Sequence, residues 1–442
     1  MSIKTASCVS APTPLTQGAW VIFCAVVDNY GDIGVCWRLA RQLVREHGVA
    51  VNLLVDDWDT TLEFLGRQDA GLLLQTEEQG VYVCHWCDQV DWHTMVSSAS
   101  VVIEAFGCTL PDAAIAEMAA MTEQPSKAVK GKAVKEKAGK EKATAEPYWL
   151  NLEYLSAETW VENYHGQHSL QSLADSHRLP SSKMLSKTFF FPGFTAATGG
   201  LLRERDLLAQ HESWQADPSQ SRAELLQTLN IDTRDLAVGW HDRALLVSLF
   251  VYSRPAGGPA LVSWFAAMAE ASEPALCLVP TGALLTDVAH ALGQTQIPVV
   301  GDVLRMGSLS VAVIPFLPLD DYDWLLSVCD LNLVRGEDSF VRAQWAGKPL
   351  VWHIYPQPGD AHTAKLEAFL ARYGEAGQSV PGSDALLEFN RFWNLDADCR
   401  KLWHDLRPQL PDLTHRARNW QQKLAEVPDL ASSLMQFYRD RR

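Results

Sequence analysis

The sequence predicts an α/β protein of two domains, and three observations carry that prediction. Short apolar runs rich in Val, Ile and Leu are each followed by a stretch of helical periodicity, the alternation that lays parallel strands side by side with helices on their faces. The alternation occurs twice, on either side of an aromatic segment punctuated by Pro and Gly, Phe189-Phe190-Phe191-Pro192-Gly193-Phe194. The 442 residues also exceed the size at which one hydrophobic core stops growing.

In the first half, residues 20–27 form an almost wholly apolar run, as expected of a strand buried on both faces of a parallel sheet. The turn Asp28-Asn29-Tyr30-Gly31-Asp32 follows. Cys36, Leu39, Ala40, Leu43 and Val44 then recur at helical spacing, with Arg38, Arg41, Arg45 and Glu46 on the other face. Residues 49–55 and 101–103 read as further strands of a doubly wound domain. Between 126 and 146 the chain becomes a Lys-Ala-Gly-Glu repetition without aromatic residues, expected to be a solvated insertion. Past Gly199-Gly200, residues 244–252, 275–279, 311–315, 331–334 and 350–355 read as five strands interleaved with helices. Residues 389–438 are helical and Trp-rich. The expected domains are 1–190 and 191–442, with the last helices free to cover either one.

Hydrophobic residues at 47%, charged residues at 20% and 16 Trp exclude a disordered chain. A formal charge of −16 argues against general attraction to nucleic acid or anionic lipid, so an anionic ligand must be bound locally. No apolar run approaches the roughly 20 residues that span a bilayer, and residues 1–17 lack the pattern of a signal peptide. A cytoplasmic protein is expected. Nine cysteines in apolar segments do not suggest a disulfide framework, and the close pair Cys84 and Cys87 lacks a second pair at zinc-site spacing.

Two strand-to-helix junctions carry the candidate chemistry. Asp28-Asn29-Tyr30-Gly31-Asp32 places two carboxylates and a glycine at the carboxyl end of the first strand, where ligands bind in open α/β sheets. By composition it is either a capping turn or a catalytic pair. It is not a dinucleotide fingerprint, because the third glycine is missing. Arg335-Gly336-Glu337-Asp338-Ser339 offers an arginine and free backbone N–H groups where a diphosphate could sit, and reads equally as a helix cap. Two such domains suggest a sugar-nucleotide transferase, although dehydrogenases and ligases share the layout.

The strings DNYGDIGVCWRLARQL at 28–43 and LNLVRGEDSFVRAQWAGKP at 331–349, with PGFT at 192–195, TGG at 198–200 and WHIYPQ at 352–357, closely resemble the elongation factor P arginine rhamnosyltransferases. The resemblance spans nearly the whole chain except the polar N-terminus and the lysine-rich insertion. It implies a GT-B fold of two Rossmann-like domains facing each other across a cleft. It also implies a dTDP-β-L-rhamnose donor, inversion at the sugar carbon, no metal, no cofactor, and an arginine of translation elongation factor P as acceptor. By position Asp32 matches the family's proposed general base and Asp28 its companion, with Asn29, Tyr30 and Gly31 in the same substrate-binding turn. Phe250, Tyr252 and Tyr322 fall where the family packs aromatics around thymidine, and Arg335, Glu337, Asp338 and Ser339 match its donor-binding junction. Leu319 departs from the pattern, standing where glutamine is expected against the base. The alternatives are another nucleotide-sugar transferase of this fold and a non-catalytic protein that docks on a translation factor.

Overall fold

The computed structural model describes residues 18–28, 30–67, 75–87, 90–121, 146–172, 184–254, 257–375 and 381–441. The expected lysine-rich insertion, apart from Glu146, and Asn29 lie outside these residues. The chain divides into two compact units: Met1–Tyr154, Tyr164–Phe191 and Leu434–Arg442 form one, Leu155–Asn163 and Pro192–Ser433 the other.

The first unit is built on an eight-stranded sheet of β1 (Ala19–Cys24), β2 (Val51–Val55), β3 (Gln75–Glu78), β4 (Val81–His85), β5 (Ala99–Ala105), β6 (Tyr148–Leu152), β7 (His168–Ser172) and β8 (Met184–Phe190). Its order is β3-β4-β2-β1-β5-β6-β8-β7. The edge strands β3 and β7 pair antiparallel and the six between them pair parallel. Every residue of β1 and β2 is buried, as two helix-covered faces require.

The helix Tyr30–His47 follows β1, and two of the arginines on the face opposite its apolar stripe are buried. Arg38 and Arg41 are 1% and 5% exposed. Arg41 Nη1 donates to Gln79 Oε1 at 3.3 Å, Arg45 bonds the same oxygen, and Gly80 approaches Val44. The turn between β3 and β4 therefore lies on the polar side of the helix. Helical periodicity carries no information about a hairpin more than 30 residues downstream.

The second unit holds a six-stranded sheet of β9 (Leu245–Leu249), β10 (Ala275–Pro280), β11 (Val303–Met306), β12 (Leu309–Ile314), β13 (Leu331–Arg335) and β14 (Leu350–His353). Its order is β11-β12-β10-β9-β13-β14, with β11 antiparallel and the rest parallel. Trp264, Trp393 and Trp403 are fully buried in its core, and Phe340 stacks on Trp352 with centroids 3.9 Å apart. The expected crossing segment is half strand: Phe189 and Phe190 close β8, and the division falls between Phe191 and Pro192. The Trp-rich tail forms helices Ser383–Asn394, Arg400–Leu406, Leu410–Ala425 and Leu430–Arg439. Only its end belongs to the first unit, where Tyr438 meets Trp20 at 5.6 Å and Phe437 meets Phe190 at 5.3 Å. No helix among the described residues is long and apolar enough to cross a membrane.

Candidate active site

Each sheet has a point where the chain, having added strands on one side of its first strand, begins adding them on the other. A crevice opens at the carboxyl ends of the strands there. In the first sheet it lies between β1 and β5, in the second between β9 and β13. Both sequence-predicted junctions fall at these points.

In the first unit the chain leaves β1 through Ala25–Val27, turns with Gly31 N donating to Asp28 O at 2.7 Å, and enters the helix at Tyr30. Asp32 lies in the first helical turn, 4% exposed, and its Oδ2 accepts from Val27 N and Asp28 N, both at 2.9 Å. A first-turn carboxylate bonding back to N–H groups upstream of a helix is a stabilising cap, helped by the helix dipole. Even so, burial raises the Asp32 pKa above the ordinary carboxylate value. The two N–H donors oppose that shift, and the carboxylates of Asp28 and Asp56 add to it. A Cβ on Gly31 would stand 2.9 Å from Asp28 Oδ2, so glycine lets the two acids share this turn. Tyr30 packs against Phe64 at 5.9 Å, and burial followed by its bond to Glu63 pushes its phenol up to about 12.

Sequence reasoning missed two features beside this turn. Asp56, after β2, accepts from Val26 N at 2.8 Å and supports the loop from below. Phe106, after β5, adopts φ 57 and stacks on Tyr154 at 4.7 Å. A left-handed aromatic at a switch point is the kind of backbone strain that marks functional sites. No residue-type signal in the chain announces it.

In the second unit Phe250 and Tyr252 follow β9, Arg335 ends β13 and His353 ends β14, so adjacent parallel strands deliver all four to one edge. The Arg335 guanidinium lies 4.6 Å from the Phe250 ring and 4.7 Å from the Tyr252 ring, a cation held between two aromatic faces. Tyr322 packs edge-on to Phe250 at 5.8 Å, and burial raises its phenol well above the usual value, with the Asp338 carboxylate adding to the effect. Gly336 turns the chain at φ 60, and its carbonyl accepts from Trp352 Nε1 at 2.9 Å. Ser339 closes the junction, donating to Arg335 O and accepting from Arg335 N. Asp338 opens the helix Asp338–Trp345 and is 8% exposed. Glu337 is held within the unit: Oε1 pairs with Lys365 Nζ at 3.1 Å and Oε2 accepts from Leu155 N at 3.1 Å.

The aromatic group extends further than the residues singled out from the sequence. Tyr355, half exposed, meets Tyr252 at 5.3 Å, and His353 accepts from Tyr252 N at 3.2 Å through Nδ1. Burial, with the Arg254 and Arg335 charges, holds His353 well below the usual imidazole value and therefore neutral. The WHIYPQ string was the available signal for both.

Two mainly parallel sheets with strands added on both sides of a central first strand, each with a polar junction at its switch point, have the layout of a GT-B glycosyltransferase, and likeness to known proteins separates that class from the dehydrogenases and ligases that share it. A solved EarP structure, concerned with EarP-mediated arginine glycosylation of translation elongation factor EF-P, aligns with 96% of this chain and 99% of its own at 35% identity and a TM-score of 0.58. The family described as "Elongation-Factor P (EF-P) rhamnosyltransferase EarP" matches residues 20–439. The protein-arginine rhamnosyltransferase of Pseudomonas putida KT2440 is 46% identical, covering 96% of this chain and 99% of that one. That of Neisseria meningitidis H44/76 is 30% identical over 94% of this chain and 96% of its own. The chain belongs to the EarP family of protein-arginine rhamnosyltransferases.

Proposed function

We propose that the protein transfers L-rhamnose from dTDP-β-L-rhamnose to an arginine side chain of translation elongation factor P, with inversion at the sugar carbon and without a metal or cofactor. The observation that carries this reading is the division of chemistry between the two switch points: a buried carboxylate at Asp32 in one unit, a guanidinium clamped by aromatics at Arg335 in the other.

The acceptor sets the difficulty. Its guanidinium pKa lies above about 12 and an ordinary aspartate near 4, so full proton transfer before attack would cost roughly 11 to 12 kcal/mol. Burial of Asp32 narrows that gap from the carboxylate side. In this reading Asp32 and Asp28 orient the planar fork of the acceptor. A guanidinium nitrogen forms the bond to the anomeric carbon as the bond to the diphosphate oxygen breaks, and Asp32 takes the released proton during that step. The departing dTDP carries the electron pair. Arg335 and the N–H groups opening the helix Asp338–Trp345 receive its growing negative charge.

Phe250, Tyr252 and Tyr322 supply the apolar wall for thymidine, with recognition near Leu319 falling to backbone groups. Asn29, Tyr30 and Gly31 shape the acceptor turn. Glu337 and Asp338 accept from sugar hydroxyls, and Glu337 must then exchange or share its bonds to Lys365 and Leu155. Intact-mass measurement of elongation factor P after incubation with the protein and dTDP-L-rhamnose should show the addition of one deoxyhexose. No addition with that donor, but addition with another nucleotide sugar, would remove the proposed donor.

A further inference from the structure

The second sheet has another end. At its amino-terminal edge, away from Arg335, lies a cavity of about 470 Å³. Its lining includes Leu245 at the start of β9, Asp330 just before β13 and Lys348 just before β14. The five residues of β13 separate it from the aromatic clamp by roughly 17 Å, so it is no extension of the donor crevice.

Five basic side chains line it, Arg222, Arg243, Lys348, Arg407 and Arg418, against two acidic ones, Asp330 and Glu273. Both acids have partners, and Asp330 neutralises one of the five cations. Asp330 takes Arg222 on one oxygen and Leu246 N at 2.9 Å on the other, while Glu273, 66% exposed at its side chain, faces His241 at 3.3 Å. The remaining cations are poorly served. Arg407 Nη2 donates to Glu273 O at 2.7 Å, yet its Nη1 is buried with no hydrogen-bond partner among the described residues. Arg418 has a 3.3 Å contact with Gln215 Oε1, and Lys348 has no hydrogen bond or ion pair among the described residues. Burial pushes the Lys348 ammonium below its usual value, the nearby Asp330 carboxylate opposing that shift and the Arg222 and Arg418 charges adding to it.

In a chain of net charge −16, a cavity lined by five cations and two acids is a local device rather than a consequence of composition. The helix Leu410–Ala425 begins at its wall with no side-chain cap, adding the positive end of a helix dipole. Trp214, Pro218 and Pro411 supply an apolar side.

We propose that this cavity binds a phosphate-bearing small molecule, a ligand distinct from the sugar donor. Lys348, Arg407 and Arg418 hold its phosphates, and its body lies against Trp214 and Pro411. The volume is within the roughly 300 to 1,000 Å³ typical of small-molecule sites.

The test is calorimetric titration of the full-length protein with pyrophosphate and, separately, with ATP. Arg335→Ala, which weakens the donor site, should retain binding at one site. Adding Lys348→Met should weaken that binding by at least about tenfold. Arg243→Ala with Arg418→Ala, at two exposed positions, should do the same. ATP should bind more tightly than pyrophosphate because of the apolar wall. The proposal is overturned if Arg335→Ala binds neither probe, or if both sets of cavity substitutions leave its affinity unchanged. Two sites persisting in Arg335→Ala would fault the donor assignment instead, and the Arg243→Ala, Arg418→Ala protein would still have to lose one of them.

Discussion

Asp32 serves two purposes that conflict. As a cap its carboxylate satisfies two N–H groups, and as a base it must take a proton while buried, where ionisation is disfavoured. Its raised pKa means that its ionised form costs the folded state. That contribution favours folding below the unfolded value near 4 and is lost as pH rises through the folded value. Asp32→Asn keeps an oxygen for both N–H groups and removes the charge. At pH 7.5 we therefore expect a melting temperature no lower than that of the parent, with transfer reduced at least about 100-fold. A parallel fall in both would make Asp32 a structural cap only. For the unaltered protein, the acid limb of kcat/KM should lie above the ordinary aspartate value, measured as the rate of rhamnosylation against pH.

At the scale of elements, the junction after β13 is held from behind by a buried charge cluster. Arg342, on the helix Asp338–Trp345, forks onto Asp323 at 2.8 and 2.7 Å and reaches Glu204 at 2.7 Å. His211 lies in the same field, 2% exposed, with neither ring nitrogen hydrogen-bonded among the described residues. Burial brings it from 6.5 down to about 4, the Asp323 and Glu204 carboxylates opposing and Arg342 assisting. The unfolded chain therefore binds the proton first, and stability present above pH 6.5 is lost as pH falls toward 4. Between pH 7 and 4 this amounts to about 3 kcal/mol. Urea midpoints at the two values should differ by correspondingly less in His211→Gln, and an unchanged difference would clear His211 of the effect. A second element depends on glycine. Gly193 N donates to Gly200 O at 3.1 Å, a Cβ on Gly193 would stand 2.6 Å from Thr198 Oγ1, and a Cβ on Gly200, at φ 73, would overlap Pro428 O. Gly200→Ala should cost at least about 2 kcal/mol, from left-handed strain plus displaced backbone, read as a lowered melting temperature. An unaltered melting temperature would mean that residues 428–429 yield freely.

For the whole molecule, the two units should divide the substrates. Arg335→Ala removes a charged contact proposed for the diphosphate, typically about 1.5 to 3 kcal/mol, and should weaken dTDP by roughly 10- to 150-fold. Elongation factor P should bind that variant as before, whereas Asp32→Asn should keep dTDP affinity within a few-fold. Calorimetry of both variants with each ligand separates the roles, and dTDP lost by Asp32→Asn but kept by Arg335→Ala would reverse them.

What the sequence determined by itself was everything that rests on local order. Buried strands such as β1 and β10 declare themselves as unbroken apolar runs, since a strand covered on both faces has no polar side to alternate. The junctions at Asp28 to Asp32 and Arg335 to Ser339 were legible because a strand, a glycine turn and a helix start are contiguous in the chain. Strands such as β3 and β7, polar and at sheet edges, left no such pattern. Only the tertiary structure decided that Arg38 and Arg41 are buried, that Arg335 lies between Phe250 and Tyr252, that Phe106 is left-handed beside Tyr154, and that five cations line one cavity. Each of these joins residues far apart in the chain, and their meeting is set by strand order, which propensity and periodicity do not encode.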